Sequence, residues 1–221
     1  MITTRILAAL PLLALLAACA EPYQVSRAAG TPAQIAAPDG FAAPAPVAAP
    51  RYAVRAVSVT VPRQLKVSEA NQYFPIADIV WRDDPRGDRH AQVQTIFETA
   101  VAEGTGAMHE GVPVVIEIEV TRFHALTEKA RFTVGGSYAM RFMLTLRHAE
   151  TGALLDGPRP VLADARAAGG ARALEEEALG LTQKRVVTAR LAEVIAAELT
   201  RPAGQDAPKT GLLAGLFASA N

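Results

Sequence analysis

Little in this sequence advertises an activity directly. It holds one cysteine in 221 residues, which excludes an internal disulfide and any cysteine-rich metal cluster. Aromatic residues make up only 5% of the chain, so a packed interior has to be built mainly from Val, Leu and Ile. Neither sign of charge is in excess: 22 basic residues face 22 acidic ones. That removes the electrostatic case for nucleic acid, which calls for a basic surplus or stripe. The chain also lacks an apolar run as long as the roughly 20 residues a membrane-spanning helix needs. Half of the residues are apolar, but many of these are alanine, which contributes little to a core.

The lone cysteine takes its meaning from its position. Met1 to Arg5 carries one positive side chain, and an apolar run from Ile6 to Ala18 follows, interrupted only by Pro11. The run has the length of a signal-peptide core. It ends Leu16-Ala17-Ala18-Cys19, which resembles the bacterial lipobox. In proteins with that motif the cysteine thiol receives a diacylglycerol and a peptidase cuts just before it. The residue types suit that chemistry, because Ala17 and Ala18 fit a narrow protease subsite and only a thiol forms the thioether. Residues 1–18 are therefore expected to be a removable signal, with Cys19 lipidated. Ala20, rather than an acid, follows the cysteine, and outer-membrane sorting is expected over retention at the inner membrane.

Residues 19–51 are rich in Ala and Pro, with Pro32, Pro38, Pro44, Pro46 and Pro50 interrupting any helix. This reads as a tether reaching on the order of 90 Å when fully extended. Ordered structure is expected over 52–200, followed by a tail over 201–221 that contains the short apolar stretch Gly211 to Phe217.

Inside the domain, Val57, Val59 and Val61 alternate with Ser58 and Thr60, a strand pattern closed by Pro62. Ser68 to Asn71 suggests one helical turn, and Ala77 to Trp81 a short extended piece. Asp83-Asp84-Pro85 looks like a helix entrance, and Val93, Ile96, Phe97, Ala100 and Val101 give a helix over 88–103 one apolar face. Gly104 to Gly111 reads as a loop. Val114, Ile116, Ile118 and Val120 then alternate with polar neighbours. A second long strand carries Phe132, Val134, Tyr138, Met140, Phe142, Leu144 and Leu146 on one parity. Ala125 to Lys129 is expected to turn the two into an antiparallel hairpin, with Gly135-Gly136 as a bend. After the turn at Glu150 to Gly152 comes a weaker strand, 153–163, broken by Pro158 and Pro160. One long helix over 172–199 follows, with Glu175, Glu176 and Glu177 near its start. The order is strand, helix, three strands, long helix. It predicts an α+β domain with helices on one face of a mainly antiparallel sheet.

Three places hold candidate chemistry. Trp81 to His90 packs three carboxylates and a histidine into ten residues, but its interleaved arginines would repel a cation. A solvated loop with a helix cap is the expectation, with Trp81 at the domain edge. The histidines at 90, 109, 124 and 148 show no zinc-binding spacing, and Ser137 lacks an evident base, so no catalytic residue, metal or cofactor is expected. The hairpin end, with Arg122, Phe123, His124, Glu128 and Lys129, is the candidate partner surface.

Several segments together resemble a family of uncharacterised alphaproteobacterial lipoproteins. They are 57–62 (VSVTVP), 77–82 (ADIVWR), 87–93 (GDRHAQV) and 120–131 (VTRFHALTEKAR). The resemblance implies an envelope lipoprotein and no particular activity. The element order also looks like that of small lipoproteins that accompany envelope transport systems. The expected function is a non-enzymatic binding or scaffolding domain, held on the membrane by acyl chains and facing the periplasm with envelope protein partners. An auxiliary subunit of a lipid or solute transport assembly is the alternative, and a hydrolase of envelope substrates ranks third.

Overall fold

A computed structural model describes residues 51–201. The signal segment, the lipobox Leu16 to Cys19, the tether as far as Pro50 and the apolar stretch 211–217 lie outside the described residues.

The elements are β1 (Tyr52–Thr60), β2 (Ile79–Val80), α1 (Arg89–Thr105), β3 (Val112–His124), α2 (Glu128–Arg131), β4 (Gly136–His148), β5 (Leu154–Leu162), β6 (Ala165–Ala167), α3 (Ala171–Ala178) and α4 (Gln183–Leu199). This is an α+β domain. The sheet runs β1-β3-β4-β5, with β2 added to β3 and β6 to β4. β3, β4, β5 and β6 are joined antiparallel, with Ile118 opposite Leu144. β1 and β2 lie parallel to β3, so the sheet is mixed. A parallel neighbour needs a crossover, and α1 is part of the connection from β1 to β3.

Alternation fixes the two faces. Ile116, Ile118, Val120 and Phe123 of β3 and Met140, Phe142, Leu144 and Leu146 of β4 point into the core. There they meet Val93, Ile96 and Phe97 of α1 and Val187, Leu191 and Ile195 of α4. Phe97 sits edge-on to both Phe142, at 5.4 Å between centroids, and Phe123, at 6.2 Å. Trp81, Phe97, Phe123 and Phe142 are fully buried in this core.

Several expectations need correction. The turn after β3 is longer than 125–129: Thr127 caps the short helix α2 by accepting from the Ala130 N–H. β4 then begins only at Gly136, which leaves Phe132 and Val134 exposed rather than inward. The long helix is two helices. Gly180 at φ +75° and the capping hydroxyl of Thr182, which accepts from the Arg185 N–H, divide it. Glu175, Glu176 and Glu177 therefore lie in the last turn of α3, where the helix dipole opposes them. Ion pairs of Glu177 with Arg131 and of Glu176 with Arg172 offset that cost. α1 is entered through Asp88, whose carboxylate accepts from the Ala91 N–H, not through 83–85. Ser68 to Asn71 is not helical. β5 runs unbroken through Pro158 and Pro160 because it is an edge strand, where a missing N–H can face solvent.

β3 and β4, 13 residues each, run from one pole of the domain to the other. One pole holds Arg51, the loop after α1 and the end of α4; Arg51, Tyr52, Leu199 and Thr200 line one cleft there. The other, about 40 Å away along the 13-residue β3, holds α2, β6, α3 and the loop before β2.

Candidate functional site

The Trp81 to His90 segment is the expected solvated loop with a helix cap over Pro85 to Asp88, which are exposed and end in the α1 cap, but its other residues form an internal brace. Trp81 is fully buried, a correction to its expected place at the domain edge, and its indole N–H donates to Asp84 at 2.8 Å. The other Asp84 oxygen meets Lys184 of α4 at 2.8 Å, and Asp83 accepts from the Lys184 backbone N–H at 2.9 Å. The two acids thus tie the loop to the start of α4. Arg89 is 4% exposed and grips Glu69 through two nitrogens, at 2.6 and 3.1 Å. Its remaining nitrogen donates to the Asp84 carbonyl and to Gln92. Arg82 bonds Glu128 and the Glu69 carbonyl.

These contacts set the acidities. The hydrogen bond from Arg89 holds the Glu69 carboxyl below the usual glutamate range. Burial raises Glu128 and Asp84, but bonds from Arg82 in the first case, and from Lys184 and Trp81 in the second, outweigh it. Both carboxyls end below their ordinary values. Burial lifts the Tyr138 phenol to about 12. None of these groups is poised near neutrality for proton transfer.

The five residues expected to form a partner surface do not act together. Phe123 is fully buried and stacks edge-on against Trp81 at 5.5 Å; it belongs to the core. Strict alternation from Val120 would face Arg122 inward and Phe123 outward, but the bulge after Val120 shifts the register and turns Phe123 into the core. Glu128 is engaged by Arg82. His124 is half-buried, with its Nε2 3.0 Å from the Pro75 carbonyl. Lys129 is exposed and Arg122 is half-buried. Ser137 is exposed and sits in register with Arg166 of β6.

A feature that the sequence reading passed over lies beside them. The loop from Gln72 to Ile76 carries Tyr73, Phe74 and Ile76, exposed at 40%, 85% and 101%, around a buried Pro75. Three bonds brace it: the Thr127 hydroxyl donates to the Gln72 carbonyl, the Lys129 N–H to Asn71, and His124 meets Pro75. The Lys129 ammonium stands 4.7 Å from the Tyr73 ring centroid. The available signal was the run Tyr73-Phe74-Pro75-Ile76, which fits no helix or strand period in a chain with few aromatics.

At the opposite pole is an open cleft of about 440 Å³ lined by Arg51, Tyr52, Met108, His109, Glu110 and Leu199. Its charged pair, Arg51 and Glu110, joins at 3.0 Å with both side chains largely in solvent. Among the described residues no three His, Cys, Asp or Glu side chains gather as metal ligands. No helix among them is long and apolar enough to cross a membrane.

The model of a family of unknown function (DUF6778) matches residues 52–215, and the chain belongs to that family. Among solved structures, a "putative lipoprotein" from Caulobacter crescentus CB15 is similar over 48% of this chain and 80% of its own. The identity is 18% and the TM-score 0.25. No curated protein matches the sequence.

Proposed function

We propose that this family member is a lipid-anchored protein of the cell envelope whose folded domain binds rather than catalyses. The anchor rests on Leu16-Ala17-Ala18-Cys19 at the end of an apolar run of signal-peptide length. Acyl chains on Cys19, at about 0.8 kcal/mol per buried methylene, give durable attachment. The domain would face the periplasm from the outer membrane.

One observation carries the binding reading. Arg51 and Thr200, the two ends of the domain, share a cleft at one pole, while a braced loop displays Phe74 and Ile76 at the other. The domain displays its apolar loop at the pole away from Arg51 and Thr200.

Fatty-acid labelling in cells tests the anchor. The parent protein should be labelled and membrane-bound, and Cys19→Ala should be neither; labelling that persists in the variant overturns the assignment. A serine-reactive phosphonate probe tests the binding reading. Labelling that disappears with Ser137→Ala would make the protein a hydrolase.

A further inference from the structure

We propose that the Tyr73–Ile76 loop is a lipid-contacting tip and that it takes the surface of an anionic phospholipid bilayer. The proposal deepens the binding reading above and rests on it, but its test does not involve acylation.

A single exposed apolar residue is ordinary on a soluble protein and calls for no explanation. This loop differs in construction. Pro75 is buried and its carbonyl is held by His124. Gln72 and Asn71 are held from α2 and its cap by Thr127 and the Lys129 N–H. Phe74 and Ile76 thus flank a pinned residue, on a backbone that those bonds hold in place. The backbone is fixed while the two apolar side chains are held in water.

The charge beside the tip points to the occupant. Lys129 overlies Tyr73, and Arg122 lies two residues before His124, opposite Arg141 in the β3–β4 register. Among the described residues neither Lys129 nor Arg122 joins an ion pair. Of the acids at this pole, Glu128 is ion-paired with Arg82, Glu69 with Arg89, Asp164 with Arg141 and Glu177 with Arg131. Asp78, two residues after Ile76, joins no ion pair among the described residues but accepts from the Lys66 N–H, so beside the loop the cations Lys129 and Arg122 outnumber the acid. An aromatic and an aliphatic side chain on a convex tip can enter the boundary between headgroups and acyl chains, while flanking cations meet lipid phosphates. The tip lies at the pole away from Arg51 and Thr200.

The test uses the mature full-length chain with Cys19→Ala, so that no acyl chain contributes, in flotation with vesicles. Binding to phosphatidylethanolamine vesicles containing phosphatidylglycerol should exceed binding to phosphatidylcholine vesicles by on the order of tenfold, since each cation near an anionic surface adds roughly 1 kcal/mol. Phe74→Ser with Ile76→Ser should abolish binding at an unchanged melting temperature, because both side chains are solvent-exposed. Arg122→Ser with Lys129→Ser should remove the preference for phosphatidylglycerol. A chain that ignores both vesicles overturns the proposal, as does a Phe74/Ile76 double variant that floats like its parent. A photo-crosslinker at position 74 that captures one envelope protein in cells instead of phospholipid overturns it too.

Discussion

Gly104, near the end of α1, rests directly on the main chain of Ala192 in α4. A β-carbon built on it would stand 2.5 Å from the Ala192 carbonyl oxygen and 3.2 Å from its Cα. Two helices approach this closely only where one of them has no side chain. The contact sets the spacing of the pair whose apolar faces cover the sheet.

Gly104→Ala should therefore destabilise the domain by about 1–3 kcal/mol, the usual cost of overfilling a packed interface. Alanine's better helix propensity, worth roughly 1 kcal/mol, acts the other way. Ala192→Gly should not rescue the variant, since the opposing atoms are backbone. Denaturant midpoints decide it, and an unchanged or raised midpoint for Gly104→Ala would refute the close contact.

Gln183 closes its side-chain amide on Leu126, accepting from the N–H at 3.1 Å and donating to the carbonyl at 3.2 Å. Both residues are buried. Gln183→Leu keeps the volume but orphans two backbone groups, at a cost of about 2–4 kcal/mol. Hydrogen exchange at the Leu126 amide should quicken more than at amides in the middle of β3. Uniform exchange across the two regions would argue against the link.

Glu69, Asp84 and Glu128 have folded-state acidities below their unfolded values. Groups with depressed folded values contribute stability that is present above the unfolded pKa, 4.5 for glutamate and 3.8 for aspartate. That stability is lost as pH falls through the lower folded values. Unfolding free energy should hold between pH 5 and 7, on the order of the interval given by reference carboxylate values, and decline below it. Glu69→Gln should flatten the decline; a variant as acid-sensitive as the parent would show that the brace does not titrate.

Tyr138 titrates at about 12 against an ordinary 10.0 because it is buried. Its folded value is raised, so the stability tied to the neutral phenol is intact below 10.0 and is lost as pH climbs towards 12. The ultraviolet titration of the parent minus that of Tyr138→Phe should contain one component near 12. A difference centred at 10.0 would mean that the ring is solvated.

Phe123 is a core residue, so Phe123→Ala should cost about 3–5 kcal/mol. Vesicle binding by whatever fraction stays folded should match the parent. Loss of binding at full stability would return Phe123 to the surface.

The long strands were legible because alternation is a local property. Val114, Ile116 and Ile118 on β3 and Met140, Phe142 and Leu144 on β4 carry it over enough residues to mark the faces, the pairing and the α+β class. α1 was legible for the same reason, through Val93, Ile96 and Phe97. The division between α3 and α4 was encoded in Gly180 and Thr182, but the run of apolar and charged residues on either side hid it. The polar segment around Asp84 misled differently: its carboxylates look solvent-bound until Lys184, a hundred residues on, arrives to pair with them.

By itself the sequence determined the α+β pattern, the antiparallel pairing of β3 with β4 and the lack of spacings that bind metals or build a nucleophile, since periodicity and motif spacing are read along the chain. Only the tertiary structure decided that Phe123 is buried while Phe74 and Ile76 are displayed. It alone placed Trp81 in the core and left Arg122 and Lys129 without a counter-charge. Whether a side chain is covered, or a charge paired, depends on segments that reach it from far away in the chain, and local pattern carries no record of them.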